Sequence, residues 1–571
     1  MKQRLNLQEI LHAVDQGSAA PFIRAAMFAA LIITLSLLYL FVQFRGLGTP
    51  TAMDQAQIAR NIAEGKGFST LYIRPLAIWQ LQQAGKPVPT AEFPDVFQSP
   101  LPPFLNALPL KLVQAHWKLT PVDLVYIGDR MIAGTAVLCF LLSVWVWFLV
   151  GRRLFDAKLA VLGSAILLLT DVFWQFSLSG LPQMLMLLLF AGVSWLTVGA
   201  MQDAASFVGT LVRLFLAGLL FGLLILCHGA MVWIFLAWLL MALMHFQPRG
   251  VAGLVALAAV LVVTLPWMAR NYSICGNPLG LAGYELVAPA NTAESGYLRS
   301  ISEPPPLSGI HPFNRLKNAV FEHAENLFPF LGMNIVALVF FVSLLHRFKS
   351  PTAALFRWGV LAMWAGAFIG MALCGVDGAV SSNQLHVLFI PLFVFYGLAF
   401  LLVLFGRLET TQPVFRTAFI VVLFLLSGLP LLATLFSGRN IAIQWPPYVP
   451  PFIAVLGDWY DSKEILATDM PWATAWYAQR RSVLLPKSVK DFNRISDFRL
   501  LGAPVSGLYL TPVTGNQPLF SNIYKGAYTD WVFFITRPPN VQGFSLPVFT
   551  PLPIDGECIL FADRDRWSRR E

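Results

Sequence analysis

Eleven apolar runs, each close to the length a helix needs to cross a lipid bilayer, constrain this chain more than any other feature. They lie near residues 25–44, 131–150, 159–176, 181–200, 211–228, 230–245, 251–268, 328–345, 358–375, 385–405 and 417–436. About 20 apolar residues span the hydrocarbon core, where every backbone polar group must be satisfied within the segment. Of the 571 residues, 57% are hydrophobic and 12% charged, whereas soluble domains carry about 25% charge. So little charge does not cover a water-facing surface of this size, which excludes a soluble enzyme, a disordered chain and a nucleic-acid-binding domain. The chain is expected to be a polytopic α-helical membrane protein of about 11 transmembrane helices.

Orientation follows from where the cations fall. With the N-terminus inside, the cytoplasmic segments contain Lys2, Arg4, Arg24, Arg152, Arg153, Lys158, Arg213, Arg249, Arg347, Lys349, Arg357, Arg407 and Arg416, while the short opposite loops at 177–180, 229 and 376–384 contain no Lys or Arg. This is the positive-inside asymmetry, and it makes the net charge of +9 a topological signal first. An odd number of helices then leaves the C-terminus outside. Cys139, Cys227, Cys275, Cys374 and Cys558 are scattered, with no disulfide or zinc spacing.

Spans of about 20 residues each leave more than half of the chain outside the bilayer. The expected layout is a cytoplasmic N-terminus (1–24), a membrane domain (25–436) with outer loops 45–130 and 269–327, and a C-terminal periplasmic domain (437–571). In the first loop, residues 53–65 read as a helix with Gly65 at its C-terminal cap, amphipathic and lying at the interface. The last segment opens with a Pro-rich turn at 445–451. Short β-like runs at 465–468, 482–485 and 507–511 then alternate with a helical stretch at 471–479, the pattern of a small α/β domain.

Asp54 follows the first membrane exit by a few residues. A carboxylate there suits a general base for an acceptor hydroxyl meeting a membrane-bound donor, and it also suits an N-cap for a helix over Gln55–Glu64. Spacing alone favours the cap. Guanidinium groups near outer helix ends, Arg74, Arg130 and Arg270, suit a leaving phosphate, which they grip with paired hydrogen bonds. Their structural alternatives are snorkelling beside Asp129 for Arg130 and bonding backbone carbonyls for Arg270.

The run Asp54 to Phe68, Arg74-Pro75, Ser99-Pro100-Leu101-Pro102-Pro103-Phe104, Leu265-Pro266-Trp267-Met268-Ala269-Arg270-Asn271-Tyr272 with Gly276-Asn277-Pro278, and Ile465 to Pro471 with Tyr477, Arg480, Arg481 and Leu485-Pro486 together resemble membrane glycosyltransferases of the GT-C class. Within it they are most similar to the family 39 group of protein mannosyltransferases and aminoarabinose transferases. The resemblance implies the GT-C architecture and an activity: transfer of a sugar, with inversion, from a polyprenyl-phosphate donor to an acceptor outside a bacterial inner membrane. It implies that Asp54 is the catalytic base. Many relatives place Asp-Glu here, whereas this chain has Asp54-Gln55, which removes a second acid or metal ligand. Basic positions of relatives that bear on the donor phosphate correspond to His228 and His386. The resemblance names a lipid-linked sugar and a periplasmic acceptor as partners. No ligand cluster supports a divalent metal. The competing readings are a transporter or flippase of lipid-linked saccharides, which should show repeated halves, and a noncatalytic binder of them.

Overall fold

The computed structural model describes residues 20–113, 119, 125–203, 206–286, 296–302, 312–407, 413–437, 450–515, 524–526, 528–536, 544–551 and 558–566. Lys2, Arg4 and the Pro-rich segment 445–449 lie outside the described residues. The chain divides into two compact units, 1–44 and 45–571. The first is a helix, Ala20–Leu37, that widens into a π-helical turn over Leu38–Gln43.

Among the described residues, eight helices are long and apolar enough to cross a membrane. They are Ala26–Gln43, Ile127–Leu154, Gln183–Gln202, Phe207–Cys227, Arg249–Cys275, Pro351–Cys374, Ile390–Arg407 and Thr417–Phe436. The other three expected spans are short or broken. The run at 159–176 becomes two helices, Ala157–Leu169 and Asp171–Ser179, bent by 54°. At the break, Thr170 Oγ1 donates back to the Ile166 carbonyl and accepts a bond from Asn334 Nδ2 at 2.9 Å, so side-chain bonds take over where the ladder stops. The run at 328–345 splits at Gly332, whose φ of +67° suits glycine. Asn334 then restarts a helix, Ile335–Ser343, by accepting the N–H groups of Val336 and Ala337. The run at 230–245 forms a helix over Met231–His245, 15 residues long.

Among the described residues the strands are β1 (Ser69–Thr70), β2 (Tyr72–Ile73), β3 (Phe93–Pro94), β4 (Ile465–Thr468), β5 (Arg481–Leu484), β6 (Val505–Leu510), β7 (Val548–Pro551) and β8 (Ile559–Ala562). β1 and β3 pair antiparallel. The others make one sheet in the order β2-β5-β4-β6-β8-β7. Its first four strands are mutually parallel, and β8 runs antiparallel to both of its neighbours, β6 and β7. The α/β pattern expected of the C-terminal segment is present, with β4 and β5 each buried at every residue, as strands covered on both faces are. One strand comes from elsewhere. β2 belongs to the loop at 45–130 and completes the sheet by pairing Tyr72 with Ser482 and Ile73 with Val483.

The helix after the first span is Pro50–Ala63, begun by Thr49, whose side chain accepts the Ala52 N–H, with proline at its first position. Gly65, at φ +81°, follows its C-terminal end. It was expected to lie at the interface with one apolar face. Instead every residue from Ala52 to Asn61 is buried, because the Leu101–Leu112 helix, β1 and the turn after β4 pack around it. Its polar side chains are then obliged to find partners inside the protein.

Candidate functional site

Asp54 is the fifth residue of the Pro50–Ala63 helix, a full turn beyond the cap, and Thr49 does the capping. The N-cap alternative for Asp54 is therefore corrected: a residue at that depth has its own N–H group inside the helix, and its carboxylate turns to other side chains. Oδ2 accepts bonds from the Arg74 guanidinium and from Gln98 Nε2 at 2.6 Å, and Oδ1 accepts Gln57 Nε2 at 3.2 Å. The group is 1% exposed. Gln57 and Gln98 are fixed in turn: Gln57 donates to Thr70 Oγ1 and accepts the Leu71 N–H, while Gln98 Oε1 accepts Gln55 Nε2 at 3.2 Å. In place of a second carboxylate, Gln55 thus supports a donor to Asp54.

Arg74 comes directly after β2, so the sheet sets its place. Its guanidinium lies between the rings of Tyr72 and Phe97, at 4.0 and 4.1 Å from their centroids. Besides Asp54 it bonds Asp95 Oδ2 at 3.3 Å. Its Nε, also buried, has no partner among the described residues. Asp95 closes a turn by accepting the N–H groups of Phe97 and Gln98 on Oδ1 at 2.9 and 2.6 Å. Two buried carboxylates therefore share one cation. Burial by itself lowers the pKa of Arg74, but Asp54, Tyr72 and Asp95 outweigh it and raise the value. Burial raises the pKa of Asp95, with the charge of Asp54 adding and that of Arg74 opposing. Burial also pushes the Tyr72 phenol up to about 12.

A raised carboxyl pKa means that the folded protein binds the proton in a range where the unfolded chain, at about 3.9, has released it. The resulting stability is present at low pH and fades as pH rises through the raised value. Asp95→Asn is therefore expected to flatten the fall of melting temperature with pH above about 4. An unchanged slope in the variant would trace that fall to another group.

The cavity beside this pair has a volume of about 200 Å³. Asp54, Arg74 and Gln98 line it, with the aromatic rings of Tyr72, Phe97 and Trp472 and the loop residues Asp377, Ser381 and Ser382. The other expected phosphate contacts are not among its lining residues. Arg270 donates to the backbone carbonyls of Asp95 at 2.8 Å and Phe68 at 3.1 Å, and stacks on Trp267, so it braces the chain on either side of the site. His228 caps the Phe207–Cys227 helix, and its Nε2 pairs with Asn383 Oδ1 at 3.0 Å, next to Ser381 and Ser382. His386 is fully buried, bonded to Trp364 Nε1 and His323 Nδ1 and stacked on Phe330. Arg130 is half-buried at the start of the Ile127–Leu154 helix. Its neighbour Asp129 accepts bonds from Trp476 Nε1 and the Tyr477 hydroxyl.

Asp95, Gln98 and Trp472 are site residues that sequence reasoning missed. One signal was available for Asp95: an Asp after Pro94 and shortly before Ser99-Pro100 is turn chemistry, and a buried Arg74 needs acids near it. Among the described residues no three or more His, Cys, Asp or Glu side chains form a metal-holding group.

No family model and no curated protein matches this sequence. Solved structures do. ArnT from Cupriavidus metallidurans in the apo state is 13% identical with a TM-score of 0.52, over 95% of this chain and 98% of that one. ArnT bound to undecaprenyl phosphate is 14% identical at the same TM-score and coverage. The oligosaccharyltransferase AglB from Archaeoglobus fulgidus, in complex with an inhibitory peptide and a dolichol-phosphate, is 12% identical with a TM-score of 0.52, over 90% of this chain and 71% of that one. At such identities the likeness speaks for the fold, and the fold of this chain is that of the GT-C membrane glycosyltransferases.

Proposed function

We propose that this protein transfers a sugar, with inversion at the anomeric carbon, from a polyprenyl-phosphate-linked donor to a hydroxyl-bearing acceptor. The observation that carries the reading is a buried carboxylate and a buried guanidinium on one cavity wall, each with capacity to spare. A carboxylate has about four acceptor sites. Oδ1 of Asp54 accepts one side-chain bond among the described residues, and Arg74 Nε–H makes none. In the reaction, Oδ1 takes the acceptor's hydroxyl proton as that oxygen attacks the anomeric carbon. The bond from carbon to phosphate oxygen breaks, its electron pair leaves with the phosphate, and Arg74 faces the charge that develops. A single displacement inverts the carbon and needs no second carboxylate, because phosphate is a stable leaving group.

The complexes of the solved neighbours with undecaprenyl phosphate and dolichol-phosphate support a lipid phosphate in this role. Arg270 and His228 are positioning residues in this reading, holding the 95–98 turn and the 381–383 loop. The membrane is a bacterial inner membrane, with the N-terminus cytoplasmic and the cavity and residues 437–571 periplasmic, as the loop charges support. The test is to incubate purified protein with a panel of polyprenyl-phosphate sugars and candidate acceptors and to follow released polyprenyl phosphate by mass spectrometry. Turnover with none of the donors would defeat the reading.

A further inference from the structure

The turn after β4 belongs to the last fifth of the sequence, yet it reaches the cavity. β2 and β4 both run parallel to β5, and the residues just beyond their carboxyl ends, Arg74 and Trp472, both line the cavity. Crevices outside the carboxyl ends of parallel strands are where α/β sheets take ligands. The Trp472 ring lies 6.3 Å from that of Tyr72, tilted by 58°, and Tyr72 covers the Arg74 guanidinium. Polar and aromatic groups thus follow one another from Asp54 through Arg74 and Tyr72 to Trp472.

The turn is also held in register with the helix that carries Asp54. Arg60, on the same helix as Asp54 and fully buried, donates to the carbonyls of Trp476 and Ala475, each at 2.7 Å. Asp129 accepts Trp476 Nε1 at 2.6 Å and the Tyr477 hydroxyl at 2.9 Å. At the other end of the turn, Asp469 Oδ2 accepts the N–H and hydroxyl of Thr511, both at 2.9 Å. With three anchors of this kind, Trp472 has a determined place relative to the carboxylate of Asp54.

We propose that Trp472 is the platform on which the sugar ring of the lipid-linked donor rests, so that the turn after β4 contributes to sugar binding. The proposal rests on the glycosyltransferase reading above. In such a donor the anomeric carbon is one oxygen from phosphorus, so a phosphate at Arg74 puts the sugar within one ring's length of that guanidinium. Phe97 and Tyr72 both face the guanidinium, and Trp472 is the next aromatic wall. A pyranose presents slightly positive C–H bonds on one face, which complement the negative face of an indole. Its hydroxyls point outward from the ring's edge, and Asp377, Ser381 and Ser382 line the same cavity as polar partners. Apolar walls with a few polar groups are what sites for small molecules usually contain.

The experiment compares the affinity of the full-length protein in nanodiscs for undecaprenyl phosphate with its affinity for undecaprenyl-phosphate-linked pentoses and hexoses. The wild-type protein is expected to bind at least one sugar-bearing lipid about tenfold more tightly than undecaprenyl phosphate. Trp472→Ala is expected to lose that increment and to keep its affinity for undecaprenyl phosphate, which doubles as the check that the site is folded. Trp472→Phe, which keeps a ring, is expected to retain part of it. Equal binding of all lipids by the wild type, or an increment that survives in Trp472→Ala, would overturn the platform while leaving the phosphate reading intact. So would a loss of affinity for undecaprenyl phosphate in Trp472→Phe as large as its loss for the sugar-bearing lipid. No binding of any lipid phosphate by the wild type would defeat the underlying reading, and the platform with it.

Discussion

Replacing Asp54 with asparagine is expected to lower sugar transfer by about 10²-fold or more, with undecaprenyl phosphate still bound. Asparagine has nearly the same size, but its amide is a poor base. Its NH2 group also meets a surplus of donors, because Arg74, Gln98 and Gln57 all donate to this side chain. One of those bonds must be lost, and Arg74 is left with Asp95 as its remaining carboxylate. Some loss of melting temperature is therefore expected along with the loss of turnover. Lipid-phosphate affinity separates the two effects, since a misfolded site does not bind. A variant that binds the lipid and transfers sugar at close to the wild-type rate would remove Asp54 from the chemistry.

Arg74→Ala is expected to be the most destabilising single change at the site. It leaves the carboxylates of Asp54 and Asp95, 1% and 2% exposed, without the cation they share. Removing one partner of a buried ion pair costs about 3–5 kcal/mol, because the remaining charge is buried alone. The protein relieves part of this cost by protonating Asp95, whose pKa burial already raises. That relief is available at low pH and disappears as pH rises through the raised pKa, so the deficit in melting temperature should widen from pH 5 to pH 8. Donor affinity should fall at least about tenfold with loss of the guanidinium. Arg74→Lys, which keeps the charge without the planar fork, should recover stability only in part. A variant Arg74→Ala that melts like the wild type at pH 8 and binds donor normally would dissociate this residue from both roles.

Hydropathy and charge are local properties, and what depends on them was legible in the chain. A run such as 211–228 can only be buried in lipid or protein, and the structure has a helix there, Phe207–Cys227. The same reasoning placed His228 at a helix end and put strands at 465–468 and 482–485 within a residue of where they lie. Asp54 and Arg74 were legible as candidates, since a carboxylate just past a membrane exit and an arginine shortly after it are conspicuous in so uncharged a chain, and both line the cavity.

Tertiary structure decided what no window of the sequence contains. Bends at Thr170 and Gly332 depend on Asn334, whose side chain bonds Thr170 from 164 residues away. Two residues, Tyr72 and Ile73, are too few to announce a strand and form one only because the edge of β5 offers them a ladder. Whether Asp54 capped a helix or faced a cavity turned on where the helix began, and Thr49 with Pro50 moved that start one turn earlier. Asp95 and Gln98 join the site from one turn of the chain, and Trp472 joins it from a distant segment. The sequence determined that the chain must enter a membrane and which residues carry charge at its boundary, because transfer from water acts on each segment by itself. The pairing of Arg74 with Asp54 and Asp95, 20 and 21 residues away, and the Trp472 ring brought in from a far more distant segment, depended on contacts that exist only once the chain has closed on itself.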